Sequence, residues 1–265
     1  MDLSKRISIA AAMVFILAFL IQAGDLSQRP ASSLFSCSSA LAAGEAEYIE
    51  DGYDVVEPFG SQPETVPDPL EKSNRAVFQF NDRLYFWVLK PTATVYSAYL
   101  PPGVRTCFRN LFYNLQFPIR VVNNALQGKA EGAGIELARF GINATMGLGG
   151  LFDVASTNFN IAPRDEDFGL TLGHYGMPNG VYLVLPFFGP SSLRDTAGRV
   201  ADGFLDPAYY IPWFWVATGT KVGTLFNQVS LRVGKYEDLK KSAVDPYASM
   251  RNAYIKYRAD QIKEQ

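Results

Sequence analysis

The chain has 265 residues, of which 48% are hydrophobic and 14% aromatic, while only 19% carry a charge. Soluble globular proteins usually have about 25% charged residues, so this composition favours contact with an apolar solvent or a large partner. The formal net charge is −2 and there is no block of basic residues, which argues against a nucleic-acid-binding surface.

Residues 1–42 have the pattern of a signal peptide. Lys5 and Arg6 form a positive segment, and residues 7–21 are almost wholly apolar. Two cleavage sites compete. An imperfect lipobox ends at Cys37, which becomes a lipidated first residue if cleavage falls between residues 36 and 37. The better A-x-A site, Ala40 to Ala42, predicts cleavage between residues 42 and 43 and loss of Cys37. A retained N-terminal anchor helix is the third alternative.

A linker and a folded body follow. Residues 43–67 are acidic and rich in proline and glycine without sustained periodicity, which predicts a flexible linker. Residues 68–265 form the predicted helical domain. Its first helix is expected to begin at Asp68-Pro69-Leu70-Glu71, read as a capping box with proline at the first helical position. Asp206-Pro207 and Asp245-Pro246 predict two further helix starts.

The segment from Glu131 to Leu148 predicts a helix that is apolar nearly all round. Glu136, Arg139 and Asn143 fall on one narrow polar seam. A surface helix of a soluble protein has a minority apolar stripe instead. Taken alone, this helix fits burial in a soluble core better than immersion in lipid.

The same pattern recurs between Trp213 and Gly234, and this repetition favours contact with lipid more than the first helix does alone. Lys221, Thr224 and Gln228 form a second polar seam, and a dense aromatic cluster occupies residues 209–215. Tyrosine and tryptophan favour the membrane–water interface, although such rings also fill protein cores. Together these features predict an all-α fold of amphipathic helices that lie within one membrane leaflet.

Between the two helices, residues 166–195 are rich in glycine and proline around an apolar strip, residues 182–188. Glycine and proline recur too often for a long helix, and the strip is far too short to span a bilayer. A glycine-hinged segment that leads into a buried or lipid-contacting strip is the remaining interpretation.

The sequence offers little enzymatic chemistry. His174 is the sole histidine, and no G-x-S-x-G, H-E-x-x-H or C-x-x-C motif is present. Asp165, Glu166 and Asp167 form a small acidic cluster that is expected to cap the next turn and remain solvated rather than bind a cation. Cys107 is expected to be a small buried apolar residue. We therefore predict a protein that is not an enzyme and has no catalytic residue, metal or cofactor.

Many short motifs, in order and without large gaps over residues 68–258, resemble the MlaA family (also called VacJ) of outer-membrane lipoproteins. They are Asp68-Pro69-Leu70-Glu71, Asn74-Arg75, Phe80-Asn81, Arg109-Asn110, Asn123, Leu126-Gln127-Gly128, Arg139-Phe140, Asn143, Gly147, Gly149-Gly150, Asp153, Phe168-Gly169, Thr171-Leu172-Gly173, Tyr182 to Pro186, Gly189-Pro190-Ser191, Arg194-Asp195, Asp245-Pro246-Tyr247, Arg251 and Ala253-Tyr254.

The resemblance implies a flat, all-helical ring or disc in the inner leaflet of the Gram-negative outer membrane, commonly beside trimeric porins. It implies a central amphipathic channel through which misplaced phospholipids leave the outer leaflet for a soluble periplasmic carrier, so that lipid asymmetry is maintained. The polar seams are then either channel walls or contacts between helices. A structural or tethering envelope protein, associated with porins, is the alternative function.

Two places carry over from the family as channel or gating candidates. Phe80 and Asn81 occupy the part of the first helix that lies by the channel in the family. Tyr175, Gly176 and Gly180 belong to a loop that acts there as a glycine hinge. The chain departs from the family at Cys37, which follows the apolar segment later than a lipobox cysteine usually does.

Overall fold

The computed structural model describes residues 68–263, apart from the side chains of residues 214–217. The predicted signal peptide, the linker and Cys37 therefore lie outside the described residues. Within the described part, the regular secondary structure is helical except for one short hairpin. This confirms the all-α prediction, with the hairpin as a correction to the expected loop region.

The first half of the described chain is a succession of helices. They are α1 (Glu71–Leu84), α2 (Lys90–Tyr99), α3 (Pro102–Leu115), α4 (Phe117–Leu126) and α5 (Ala130–Thr145). A five-residue π-helix, Tyr85–Leu89, joins α1 to α2. A proline lies in the first turn of α3 and α4, where its missing N–H costs no helical hydrogen bond. Pro91 lies in the first turn of α2, which follows directly on the π-helix, so its missing N–H interrupts the helical hydrogen bonds there.

The second half contains shorter helices and the hairpin. Its elements are α6 (Val154–Phe159), α7 (Phe168–His174), β1 (Tyr182–Leu185), β2 (Gly189–Ser192), α8 (Leu193–Leu205), a 3₁₀ turn (Pro207–Tyr210), α9 (Phe214–Leu231), α10 (Lys235–Ser242) and α11 (Pro246–Lys263). The strands pair antiparallel, with Tyr182 opposite Ser192 and Leu185 opposite Gly189.

The aspartates before proline act at helix starts as predicted, with one correction. The Asp206 carboxylate accepts the Ala208 N–H at 2.9 Å, and that of Asp245 accepts the Tyr247 N–H at 3.0 Å. Asp68 accepts the Leu70 N–H at 3.1 Å. The expected capping box does not close, because Glu71 pairs with Arg75 one turn further on.

The apolar core forms where the hairpin meets α1 and α11. Tyr182 and Val184 of β1 are buried against Tyr247 of α11, whose ring lies edge-on to Phe78 of α1 at 5.8 Å. Of the apolar strip predicted at residues 182–188, residues 182–185 are thus a strand whose alternate residues face the core, and residues 186–188 form the turn. The base of the hairpin is thereby fixed between the first and last helices.

Candidate functional site

Two asparagines of α1, which lie two helical turns apart, bind the backbone of the hairpin through their side chains. The Asn74 amide donates to the Tyr182 carbonyl at 3.0 Å and accepts the Val184 N–H at 2.9 Å. The Asn81 amide repeats the pattern at the other end of β1, donating to the Leu185 carbonyl and accepting the Phe187 N–H, both at 2.9 Å. The two side chains imitate a neighbouring strand, and so satisfy backbone groups of the short hairpin that β2 does not.

The tip of the hairpin presents two phenylalanines. Phe187 lies at φ 69°, a left-handed conformation that a bulky residue rarely adopts. Its ring packs edge-on against Phe80 at 5.6 Å, and Phe188 beside it is 71% exposed. The predicted gating candidates Phe80 and Asn81 therefore contact the hairpin directly, one through its ring and one through its amide.

The predicted hinge connects α7 to β1. Gly176 and Gly180 both have positive φ, at 83° and 68°. Nothing lies within 4 Å of the place a Cβ would take at Gly176, whereas at Gly180 it would lie 3.3 Å from Leu193. Tyr175 donates its hydroxyl to the Leu126 carbonyl at 2.5 Å, which ties the start of the loop to α4. Both glycines thus have the left-handed backbone that favours glycine, and of the two Gly176 has the open surroundings.

A buried ionic cluster joins α11 to both flanks of this loop. Arg258 contacts Asp167, the N-cap of α7, at 2.7 Å and Asp195, in the first turn of α8, at 2.9 Å. The Tyr254 hydroxyl donates to Asp195 at 2.5 Å, and Arg194 Nε does so at 3.0 Å. Burial acts to raise the pKa of Asp195, but Arg258, Tyr254 and Arg194 together outweigh it and lower that pKa to about 2. Sequence reasoning did not select Arg258, whose partners Asp167 and Asp195 are far away in the chain, and it noted Arg194 only within the Arg194-Asp195 motif.

The polar seam of α5 is buried between helices. Glu136 is 0% exposed and binds Arg120 of α4 at 2.6 Å. Arg139 pairs with Asp153 at 2.9 Å, and Asn143 donates to the same carboxylate at 2.9 Å. Of the two uses that the sequence left open for this seam, the contacts of all three residues are those of inter-helix packing.

The polar seam predicted on α9 is not buried between helices as that of α5 is. Lys221 and Gln228 are exposed and Thr224 is half-buried. The buried polar row of this helix is Asn227 and Ser230 instead. Asn227 accepts the Tyr96 hydroxyl at 3.1 Å and donates to the Arg105 carbonyl at 2.9 Å. The Ser230 carbonyl accepts from the Arg105 guanidinium at 2.6 Å.

Two cavities of about 290 and 570 Å³ share lining residues and together form what we call the polar cleft. The shared residues are Asp165, Glu166, Leu170 and Gln261. Of the predicted acidic cluster, Glu166 is not solvated as expected, because it pairs with Lys129 at 2.7 Å and is largely buried.

Asp202 also lines the smaller cavity of the cleft, where burial raises its pKa to about 6. Its partners are the Asn123 amide at 2.9 Å and the Phe168 N–H at 3.1 Å. The cleft wall is therefore ionic and hydrogen-bonding, suited to water or a polar headgroup rather than to an acyl chain.

The described residues invert the usual distribution of polarity. Seven apolar side chains are buried, against twenty polar or charged ones. Large apolar side chains are widely exposed instead, with Trp87 at 76% and Trp213 at 72%. Further exposed members are Val95, Tyr99, Leu137, Met146, Leu148, Phe187, Phe188, Val200, Phe204, Tyr209 and Tyr210. Such a surface indicates contact with an apolar environment or a partner.

Residues 68–263 show few features of a metal site, a catalytic histidine or a membrane-spanning helix. No group of three or more histidine, cysteine, aspartate or glutamate residues there is arranged to hold a metal ion. His174 packs edge-on against the Tyr175 ring at 5.4 Å. Among the helices of this range, none has the length and apolar character needed to cross a membrane.

Comparisons with known proteins agree with one another. The family model described as MlaA lipoprotein matches residues 66–261. The Escherichia coli intermembrane phospholipid transport system lipoprotein MlaA is 35% identical over 192 residues, which are 71% of this chain and 75% of the relative. The Haemophilus influenzae protein of the same name is 33% identical over 196 residues, covering 71% and 76%. An uncharacterized Rickettsia felis protein is 31% identical over 236 residues, covering 87% and 92%.

A solved structure agrees with these relatives. It is a chain described under "Structural basis for maintenance of bacterial outer membrane lipid asymmetry". The match has a TM-score of 0.66 and 34% sequence identity, and it covers 74% of this chain and 100% of that chain.

Proposed function

The chain belongs to the MlaA lipoprotein family, and on that basis we propose that it transports phospholipid between the membranes of a Gram-negative envelope. In this proposal it resides in the outer membrane, in the periplasmic leaflet. It takes mislocalised phospholipids from the outer leaflet through an amphipathic channel and passes them to a periplasmic carrier. The result is maintenance of lipid asymmetry, and a trimeric porin is the expected neighbour in the membrane.

The observation that carries the proposal is the inverted polarity of the fold. Apolar rings such as Trp87, Trp213 and Phe188 point outwards, while ion pairs such as Arg120–Glu136 hold helices together inside. In water this arrangement leaves large apolar side chains exposed, so the fold lacks the stabilisation that their burial would provide. Within a leaflet it is favourable, because acyl chains cover the apolar side chains and the polar groups satisfy each other internally.

In this proposal the polar cleft is the path for the phospholipid headgroup, and the hinge loop is the gate of that path. The cleft offers charged and hydroxyl groups to a headgroup, and the exposed Phe187 and Phe188 of the hairpin tip offer an apolar surface to the tails. Gly176, in the loop between α7 and β1, has the positive φ that favours glycine and open space where a Cβ would lie. The functional hypothesis is that motion at Gly176 regulates passage of lipid.

Replacing Gly176 by proline tests the hinge, because proline cannot adopt φ 83° and cannot donate the N–H that now reaches the Gly173 carbonyl at 2.9 Å. Gly149→Pro is the matched control. Gly149 has φ 75°, open space around it and an N–H that donates to the Ala144 carbonyl at 3.0 Å, but it lies outside the hinge.

In cells that lack the wild-type gene, we expect Gly176→Pro to raise phospholipid on the cell surface towards the level of the deletion, and Gly149→Pro to leave it near wild type. A folded, correctly localised Gly176→Pro protein that keeps the wild-type level would refute the hinge. The deletion itself separates the two function classes. Surface phospholipid rises if the protein transports lipid and stays unchanged if it only tethers neighbouring proteins.

A further inference from the structure

The hinge loop is attached to α8 mainly through Arg194. The Arg194 backbone N–H donates to the Asn179 carbonyl at 3.3 Å, and its Nη1 donates to the Met177 carbonyl at 3.3 Å. Nε of the same guanidinium is fixed on Asp195 at 3.0 Å, and the side chain is almost fully buried. Both contacts to the loop are long, so the loop is held less firmly than the cluster beneath it.

Two buried polar atoms at this junction have no hydrogen-bond partner within the described chain: Nη2 of Arg194 and Oδ1 of Asn179. One is a donor that carries positive charge, and the other is an acceptor. Buried polar atoms are nearly always paired, since leaving one unpaired costs more than the bond itself is worth. An unsatisfied donor and an unsatisfied acceptor at one junction are chemically complementary.

We infer that Asn179 Oδ1 and Arg194 Nη2 bond to each other in a second position of the hinge loop, so that this pair acts as its latch. The two ends of the loop differ in a way that permits such a movement. A Cβ at Gly176 would meet nothing within 4 Å, but one at Gly180 would press on Leu193. In this proposal the loop turns at Gly176 while its Gly180 end stays beside Leu193, and Asn179 moves towards a guanidinium that Asp195 keeps in place.

The latch gives Arg194 a positioning role in the transport proposed above, and its effect on lipid rests on that proposed function. Arg194 also belongs to the ionic cluster of Arg258 and Asp195, so the loop and α11 share one buried arginine-carboxylate network. Asn179 is the better residue to change, because it lies outside that network.

The test measures the loop position directly, by spin-label distances in the purified full chain in detergent. The labels are placed at Met177→Cys and Lys256→Cys, both exposed, with Cys37 and Cys107 replaced by alanine. We expect two distance populations for the unaltered Asn179. Asn179→Asp should increase the second population by about tenfold, since an ionised acceptor bonds a guanidinium more strongly. Asn179→Leu, of similar size but without an acceptor, should abolish it.

Asn158→Asp adds the same charge at an exposed position outside the hinge and should leave the distances unchanged. A distance distribution that is the same in the wild type, Asn179→Asp and Asn179→Leu would overturn the latch. Its failure can be told from failure of the transport proposal. If the distances do not respond but Gly176→Pro raises surface phospholipid, transport stands without the latch. If the distances respond and surface phospholipid never does, the latch stands without the hinge's role in transport.

Discussion

Replacing Asn81 by alanine is expected to release the tip of the hairpin while its base stays attached to α1. The variant removes the donor to the Leu185 carbonyl and the acceptor of the Phe187 N–H, both at 2.9 Å. The equivalent bonds of Asn74 at the base remain, and they are buried beside the Tyr182 and Tyr247 core. The effect should therefore be local rather than a loss of the whole fold.

The magnitude follows from the setting of the two bonds. A neutral hydrogen bond contributes about 0.5–1.5 kcal/mol net. The Phe187 bond lies in an exposed setting and the Leu185 bond is half-buried, so water replaces part of what is lost. We expect the opening free energy of the tip to fall by about 1–2 kcal/mol, and hydrogen exchange of the Phe187 amide to accelerate about five- to thirtyfold.

Native-state hydrogen exchange of the detergent-solubilised protein measures this, and Asn81→Asp separates the two bonds. Aspartate keeps an acceptor for the Phe187 N–H but has no donor for the Leu185 carbonyl. The Phe187 amide should therefore stay more protected in Asn81→Asp than in Asn81→Ala. Equal Phe187 protection in the wild type and Asn81→Ala would refute the view that this amide imitates a strand.

Spacing along a helix predicted which residues of α5 share a face, because that depends only on the 3.6-residue period. Glu136, Arg139 and Asn143 do lie together, against neighbours from α4 and the start of α6. What each seam residue touches could not be derived, since Arg120 and Asp153 are brought close by the turns between helices. Whether the seam also borders a lipid path stays a prediction.

On α9 the 3.6-residue period is compatible with more than one row of polar residues. Lys221, Thr224 and Gln228 form one row, and Asn227 and Ser230 form another that is nearly adjacent. The structure buries the second row because Arg105 and Tyr96 approach that side of the helix. Which row of α9 is buried thus depends on helices more than a hundred residues away in sequence, and a local sequence pattern cannot predict it.

The hairpin also shows that a local sequence pattern does not determine which partners an element will have. The apolar strip of residues 182–188 is visible in the sequence, but the strand conformation of residues 182–185 depends on partners outside it. Phe187 must adopt a positive φ, and Asn74 and Asn81 must supply the bonds that a third strand otherwise provides. The seven-residue spacing of these asparagines, two helical turns on the first helix, was a signal present in the sequence.

Two predictions concern the ionic interior. Arg258→Met should lower the free energy of unfolding by about 1.5–3 kcal/mol, because it leaves the buried carboxylate of Asp195 with Arg194 and Tyr254 as its remaining partners, while exposed Lys256→Met on the same helix should change it by less than about 0.5 kcal/mol. Similar denaturation midpoints for the two variants would contradict the role assigned to the cluster. Asp202, unlike Asp195, is expected to lower the stability of the fold when it is ionised. Burial raises its pKa to about 6 in the folded protein, so its protonated form is favoured there. The stability this confers is complete below the unfolded-state pKa of about 4 and is lost as the pH rises through about 6. Asp202→Asn, neutral at every pH, should therefore be more stable than the wild type at about pH 8, by at most about 3 kcal/mol, with the difference vanishing near about pH 4. Chemical denaturation at both pH values measures this, and a variant that gains no stability on going from acidic to alkaline pH relative to the wild type would show that Asp202 is ionised without cost in its buried site.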